Sequence, residues 1–419
     1  MRNLNNIIKG VLTLLFLFAI TVVQAQRHTV CIVNDTVNRY LNEVNYTSID
    51  DESQVQQYIP NQTDRRDYPL PVVINVPDRL QKYLEKGTLN MVYTEKGTMK
   101  NTLLRVNSSK VTIYNLVPNT VYDYYFVSGR EILDSGEFYP EGPLRMIYAP
   151  SVFNVRDIGG WTTVDGRRIK YGKLIRGGEL NGRHTVSKAD LLMLRNLGIG
   201  AEIDMRAAHE QDYGVSAFGF QSGKTTDTFV PTFLSTIDSG QTPEHLKRYI
   251  YLYRWRQEMN FIVDNLRVGR TIYFHCIWGA DRTGYLALFI EGLLGLDYDS
   301  MIKDYELTTF CGNPRAKSKI DPVIEYIQTL AGNTLQEKFR TFWIKKVGVS
   351  QSNIDYFVSE MLDGDSGGDT SIDETISPAL SETDGATYDL HGRRVDEGAM
   401  RRGIYIRNGK KIVSSPYRY

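Results

Sequence analysis

Between residues 90 and 129 apolar and polar residues alternate in short runs: NMVYTE (90–95), TLLRV (102–106), KVTIYNL (110–116) and YDYYFVSG (122–129). A period of two is what a strand with one buried face requires, so these runs predict antiparallel strands joined by turns. From about residue 144 the period changes. SKADLLMLRNLG (187–198) opens on a capping serine and sets Leu191, Leu194 and Leu197 on one helical face; IGAEIDMR (199–206) follows as a buried strand. EHLKRYIYLYRWRQEMNFIVDNL (244–266) has helical spacing without a breaker, TIYFHC (271–276) reads as a buried strand, and YLALFIEGLLG (285–295) as a helix apolar almost all round. Thr334 and Glu337 stand at capping-box spacing ahead of a further helix. Strand and helix in alternation predict an α/β layer with a mostly parallel central sheet.

These patterns predict a multidomain chain. Residues 27–143 form an antiparallel β-sandwich and 144–362 the α/β domain. The stretch 363–385, DGDSGGDTSIDETISPALSETDG, has almost nothing to bury and reads as a flexible linker. Residues 386–419 form a small β module, with ATYDLHGRRV and GIYIRNGKKIV as strand-like pieces around a Gly-rich turn. At the other end, Arg2 and Lys9 precede an apolar run from Val11 to Val23, and Val-Gln-Ala at 23–25 offers small residues for cleavage. The run is too short to span a bilayer, so 1–25 reads as a signal peptide with Gln26 as the first mature residue. No later stretch is apolar enough to span one. The expected protein is exported: periplasmic, on the cell surface or secreted.

Charge narrows the partners. Lysine plus arginine and aspartate plus glutamate both number 49, so nothing global favours nucleic acid or an anionic membrane. Three cysteines, Cys31, Cys276 and Cys311, make no disulfide framework. His184, His209 and His245 lie too far apart in sequence to suggest a metal site, and no cofactor is expected.

The chemistry concentrates in HCIWGADRTG (275–284), where Cys276 and Arg282 stand six positions apart between an apolar strand and an apolar helix. That spacing leaves a tight loop whose successive amides can point inward. Such a nest, backed by a helix N-terminus, binds a tetrahedral oxyanion without metal and favours a thiolate. Arg282 offers a planar fork for two phosphoryl oxygens. Ile277, Trp278, Gly279 and Ala280 supply the loop backbone, and Gly279 and Gly284 permit conformations that side chains would obstruct. Thr283 is expected to donate its hydroxyl to the Cys276 sulfur, and His275 to orient the loop through its backbone. His, Cys, the glycine and Arg-Thr-Gly together arise by chance about once per million cysteines. The mechanism implied is attack of Cys276 on phosphorus, with a cysteinyl-phosphate that water then hydrolyses. The acid that protonates the leaving oxygen is Asp281 or Asp204, with Asp238 an outside candidate.

HCIWGADRTG resembles the His-Cys-x-x-Gly-Lys-Asp-Arg-Thr-Gly loop of the bacterial tyrosine phosphatase family, which also contains dual-specificity and phosphoinositide phosphatases. FNVRDIGGW (153–161), KLIRGGEL (173–180), EIDMRAAHE (202–210) and LLGLDYDSMIKDYELT (293–308) resemble further motifs of that family in the right order. The resemblance covers about 150–310 and implies a tyrosine phosphatase-like fold. It makes Cys276 the nucleophile, Arg282 the clamp and Asp281 the acid, and sets Arg156, Asp157, Arg176, Asp204 and Arg206 near the pocket. Ala280 departs from the family's usual lysine, which weakens the case for inositol phosphates or phosphoinositides; Trp278 would suit a phenyl phosphate. Two lesser resemblances accompany it. LVPNTVYDYYF (116–126) is similar to the end of a fibronectin type III domain. Residues 388–413 resemble the C-terminal modules of exported Bacteroidetes proteins, implying secretion through, or attachment at, the outer membrane.

The function expected is an exported cysteine-dependent phosphomonoesterase, a protein tyrosine phosphatase with dual specificity possible, whose substrate is a phosphorylated protein or a small phosphomonoester. An inositol phosphate or phosphoinositide phosphatase is the alternative within the same chemistry. A non-catalytic surface protein that binds phosphorylated ligands is the alternative outside it.

Overall fold

The computed structural model describes residues 28–59, 65–98, 100–207, 209–220, 228–231, 252–364, 387–389, 403–407 and 410–414. The expected signal peptide, Asp238, the linker from 365 onward, the start of the 244–266 helix and most of the C-terminal tail lie outside them. The chain divides into two compact units, residues 1–366 and 367–419.

The alternating runs of the first unit become strands where apolar residues can turn one face inward. They are His28–Cys31 (β1), Val72–Asn75 (β2), Asn90–Glu95 (β3), Asn101–Arg105 (β4), Lys110–Ile113 (β5), Tyr122–Ser128 (β6) and Glu131–Glu141 (β7). Five form a sheet in the order β1-β7-β6-β3-β4, and β2 pairs with β5 in a second, two-stranded sheet. Val72, Ile74, Val111 and Ile113 of the small sheet share one core with Met91, Phe126 and Phe138 of the large one. The Tyr122 hydroxyl accepts the Val117 amide at 3.0 Å, pinning the turn into β6.

Two features depart from an all-antiparallel sandwich over 27–143. Strand β1 runs parallel to β7, while the other pairs in this sheet are antiparallel. Residues 32–59 are not strands. Asn34 caps a helix, Asp35–Glu43 (α1), by accepting the Val37 amide. Val37, Tyr40 and Val44 then form a stripe at helical spacing, buried in the same apolar cluster as the α/β domain. Its polar anchor is Glu306, fully buried, whose carboxylate accepts the Tyr40 hydroxyl at 2.7 Å, the Tyr46 hydroxyl at 2.6 Å and the Lys317 amide at 2.9 Å.

The α/β layer is a five-stranded sheet of Arg156–Asp157 (β8), Leu174–Gly177 (β9), Ile199–Asp204 (β10), Thr228–Pro231 (β11) and Thr271–His275 (β12), ordered β11-β10-β12-β9-β8. All its pairs are parallel except β8 with β9, so the sheet is mixed and mostly parallel. Register sets Asp204 beside His275 and His275 beside Gly177, so three strands end level and release their loops at one edge. Helices Lys188–Asn196 (α2), Leu252–Arg267 (α3), Arg282–Leu294 (α4) and Tyr298–Glu306 (α5) complete the layers that position the site. Every residue of α4 after Arg282 is buried, as a helix apolar all round must be. Ser187 caps α2, and the capping box at Thr334 and Glu337 is formed. Among the described residues no helix is long and apolar enough to cross a membrane.

In the second unit Thr387–Asp389 (β13), Gly403–Arg407 (β14) and Lys410–Ser414 (β15) form an antiparallel sheet with β14 central.

Removing one donor from a buried carboxylate exposes how far α1 belongs to the α/β core. Tyr40→Phe is expected to destabilise the whole first unit by about 1–3 kcal/mol, read as a lower midpoint of a single urea transition. A separate early transition of α1 alone would contradict the shared core.

Candidate active site

The loop that follows β12 disposes of every carbonyl. The Cys276 oxygen meets His275 Nδ1 at 3.2 Å, and the Ile277 oxygen accepts the Glu179 amide at 3.0 Å. Asn154 Nδ2 donates to the Gly279 oxygen at 2.8 Å and lies 3.4 Å from that of Trp278; Arg176 Nη2 donates to Gly279 at 3.1 Å. The Ala280 oxygen accepts the Gly284 amide as α4 begins. In a trans peptide the N–H points opposite to the C=O. The amides of residues 277–281 therefore turn to the loop's other side, and among the described residues none of them donates to a protein acceptor. That set of amides at a helix N-terminus can hold a tetrahedral oxyanion over Cys276, itself only 3% exposed. Gly279 makes the turn possible. Its φ is +65°, and a Cβ there would sit 2.4 Å from the Gly177 carbonyl carbon.

The groups that hold the carbonyls are themselves fixed. Asn154 has a left-handed φ of 58°, a strained conformation that asparagine tolerates best among residues with a Cβ. Its amide is bound by Asp67 at 3.2 Å, its Nδ2 also reaches Thr308 Oγ1, and its Oδ1 accepts from Arg156 Nη1. Arg156 and Arg176, both buried, converge on Asp304: Arg156 Nε to Oδ1 at 3.0 Å, and Arg176 Nη1 to Oδ2. Burial alone would push the Asp304 carboxyl up, but the two guanidiniums overcome it and hold it low. Burial and the Asp304 charge drive the neighbouring Glu291 carboxyl well above the usual range, so it stays neutral. His275 Nε2 lies 3.0 Å from Glu202 Oε1. Burial would lower the His275 pKa, yet the Asp204 and Glu202 carboxylates outweigh it and raise it above 6.5. Nδ1 donates to the Cys276 carbonyl, and a proton on Nε2 would be donated to Glu202.

Arg282 is oriented by Glu210, with Nη1 to Oε2 at 2.6 Å and Nη2 to Oε1 at 2.9 Å, while Nη1 also donates to the Met205 carbonyl at 3.0 Å. A guanidinium has five N–H groups. Nε and one N–H of Nη2 have no partner among the described residues, and together they make a side-on fork for two anion oxygens. Asp281 caps α4 without a capping bond; its carboxylate is forked by Arg315, Nε to Oδ1 at 2.8 Å and Nη2 to Oδ2 at 2.6 Å. Trp278 stands half-buried in an aromatic cluster, 5.0 Å between ring centroids from Phe153 and 4.4 Å from His184.

Several expected site residues lie elsewhere. Asp204 is fully buried and bound to Arg206 through both oxygens, at 2.9 and 2.8 Å, with the Arg206 amide on Oδ1 and the Gly214 amide on Oδ2. Burial opposes its ionisation, but His275 and Arg206 hold its pKa below the ordinary value, so it has no proton to donate. Arg206 is spent on Asp204, Glu179 and the carbonyls of Asn181, Gln211 and Asp212. Asp157 accepts the amides of Gly159 and Gly172 and pairs with Arg145, away from the loop. Arg156, Arg176 and His275 brace the loop from beneath rather than facing a ligand. Thr283 Oγ1 is buried without a hydrogen-bond partner among the described residues and makes no bond to the Cys276 sulfur, because α4 carries it into the core. Ile277, Ala280 and Gly284 are buried in the loop and first turn. Residues that sequence reasoning missed are Asn154, Glu179, Glu202, Glu210, Asp304 and Arg315. All but Arg315 stand inside the four motifs quoted from the sequence, which marked their neighbourhood but not the partner each side chain holds.

Two expectations follow. Asn154→Gly keeps the left-handed backbone and deletes the side chain that holds two loop carbonyls; tungstate affinity measured by calorimetry is expected to fall about tenfold or more with the fold intact. Unchanged affinity would mean the loop holds its shape unaided. A His275 pKa raised in the folded state stabilises the fold fully below the unfolded value of about 6.5 and loses that contribution as pH climbs through the folded value. The stability margin of the native chain over His275→Gln should thus be widest below about pH 6.5 and shrink above it, by urea denaturation. A margin flat across that range would show an uncharged imidazole.

Residues 147–363 match the tyrosine phosphatase family. Over 166 residues the chain is 28% identical to the "Putative tyrosine-protein phosphatase" of Cupriavidus necator, an alignment that covers 37% of this chain and 60% of that protein. Over 210 residues it is 23% identical to the "Triple specificity protein phosphatase PtpB" of Mycobacterium tuberculosis, covering 42% and 73%. A crystal structure of the human tyrosine phosphatase-like serine/threonine/tyrosine-interacting protein aligns at 18% identity and a TM-score of 0.25, over 37% of this chain and 90% of that one. The family match takes in more than half of the 419 residues and the whole of the Cys276 loop. By that span, the chain belongs to the tyrosine phosphatase family.

Proposed function

We propose that this chain is an exported, cysteine-dependent phosphomonoesterase that removes phosphate from phosphotyrosine, with phosphoserine and phosphothreonine as further substrates. One observation carries the reading: among the described residues the five amides of residues 277–281 have no protein acceptor, and Arg282 keeps a side-on fork without a partner. Together they match the three equatorial oxygens of a phosphoryl group in flight.

The Cys276 thiolate attacks phosphorus in line, forming the S–P bond as the P–O bond to the leaving group breaks. The bonding pair stays on the leaving oxygen, which takes a proton from Asp281. Water then attacks the cysteinyl-phosphate, Asp281 accepts a proton from that water, and the S–P bond breaks to return the thiolate and inorganic phosphate. Asp281 is preferred to Asp204 because it is 34% exposed on its side chain, beside the loop, whereas Asp204 is sealed in its pair with Arg206. The cluster of Trp278, Phe153 and His184 supports an aryl ester, since it offers an aromatic wall next to the reacting phosphorus. Export rests on the leader-like run at 11–23, and the C-terminal module serves as an outer-membrane address or attachment.

Purified protein is expected to hydrolyse para-nitrophenyl phosphate near pH 6, with inhibition by vanadate. Cys276→Ser should abolish turnover, and Arg282→Lys should lower kcat by about a hundredfold or more. Across a substrate panel, phosphotyrosine peptides should exceed phosphoserine peptides and inositol phosphates in kcat/KM. Turnover that survives Cys276→Ser would sink the mechanism. Inositol phosphates leading the panel would sink the substrate assignment, and phosphopeptide binding without turnover would make the protein a binding module.

A further inference from the structure

Both charged side chains at the start of α4 are held by a partner of opposite charge from another loop, but the two pairings leave different donors. Arg282 meets Glu210 end-on and keeps its Nε edge open. Arg315 meets Asp281 through that very edge, with Nε and Nη2. Its Nη1 donates to Asn313 Oδ1 and to the Pro314 carbonyl, both at 2.7 Å. Four of its five N–H groups are thus in use, and it can present two donors to an anion only by leaving Asp281. The loop that carries it is fixed, since the Arg315 amide and carbonyl both bond Thr309 Oγ1 at 2.9 Å. Its side chain is 11% exposed, and its guanidinium, like that of Arg282, lies within electrostatic reach of Cys276.

Both Asp281 oxygens are engaged as acceptors in the Arg315 fork, yet the acid of a phosphomonoester hydrolysis must present an O–H donor to the leaving oxygen. We propose that Arg315 is a phosphoryl-binding residue that also latches Asp281: when a phosphoryl dianion enters the amide loop, the guanidinium exchanges Asp281 for the dianion. The released Asp281 carboxyl takes one proton from solvent and later passes it to the leaving oxygen. Without this exchange Arg282 would be the one guanidinium among the described residues to share its charge between the dianion and Glu210. The inference rests on the phosphatase reading of the same site, because the proton matters only if an ester is cleaved there.

Tungstate, a tetrahedral dianion that is not hydrolysed, separates the two. Calorimetric titration of the full chain is expected to show about tenfold weaker binding for Arg315→Ala, and several-fold tighter binding for Asp281→Asn, in which Arg315 is unlatched. The double variant should lose that gain and bind like Arg315→Ala. Arg315→Gln, neutral and of similar length, serves as a second variant where the alanine form does not fold. An equal gain from Asp281→Asn with and without Arg315 would reduce the effect to plain charge repulsion and overturn the latch; so would wild-type affinity in Arg315→Ala and Arg315→Gln. The expected tungstate pattern in a protein that hydrolyses no ester would leave the exchange standing and refute the catalytic reading alone.

Discussion

A loop that offers a run of amides to an anion must first find donors for the carbonyls on its back, because the two ends of each peptide cannot be aimed independently. Much of the α/β domain can be read as the solution to that constraint. Apart from the Gly284 amide of α4 itself, the donors come from four places: His275 at the end of β12, the Glu179 amide after β9, Asn154 ahead of β8 and Arg176 on β9. Parallel register brings β9, β10 and β12 to one edge, so donors distant in sequence stand behind one loop. Gly279 lets the chain pass Gly177 at a distance no side chain would allow.

Burying charged donors has its own requirement, which is that they be paired. Arg156 and Arg176 share Asp304, and Glu291 beside it stays neutral, so the cluster holds two guanidiniums against one carboxylate. The excess positive charge lies directly under the loop, where Arg176 touches the Gly279 carbonyl. His275, held by Glu202, sits beneath Cys276 and binds its carbonyl. The charges below the loop therefore both shape its backbone and favour negative charge above it.

Local pattern made much of this legible in the sequence. Alternation placed β3 to β6, Ser187 and Thr334 marked their helices, and the composition of 275–284 marked the loop between an apolar strand and an apolar helix. What local pattern could not supply was the direction of charged side chains. Arg156, Arg176, Arg206 and Asp204 stand in motifs that resemble a known pocket, and a charge in such a motif can face the ligand or face another charge. The partner that decides the matter for Arg156 is Asp304, 148 residues away. Thr283 misled for a geometric reason, since one step along α4 from Arg282 turns a side chain from the site into the core. The stripe of Val37, Tyr40 and Val44 was present in the sequence, but its neighbours in a tyrosine-rich, strand-rich region masked its helical period.

The support for the loop does not stop at the edge of the family match. Asp67 lies outside residues 147–363, yet its carboxylate binds the Asn154 amide and, through Asn154, bears on the carbonyls of Trp278 and Gly279. Arg65 holds Asp67 at 3.1 Å, donates to the carbonyls of Pro150 and Val152, and stacks 4.7 Å from the centroid of Phe153, which in turn packs on Trp278. A left-handed asparagine costs of order 1 kcal/mol and persists only where its surroundings over-determine it. At Asn154 that over-determination comes from both sides: from Arg156 and Thr308 within the family domain, and from Asp67 before it. The segment ahead of β2 is therefore part of what shapes the Cys276 loop, and the structural support for that loop begins well before the residues the family match covers.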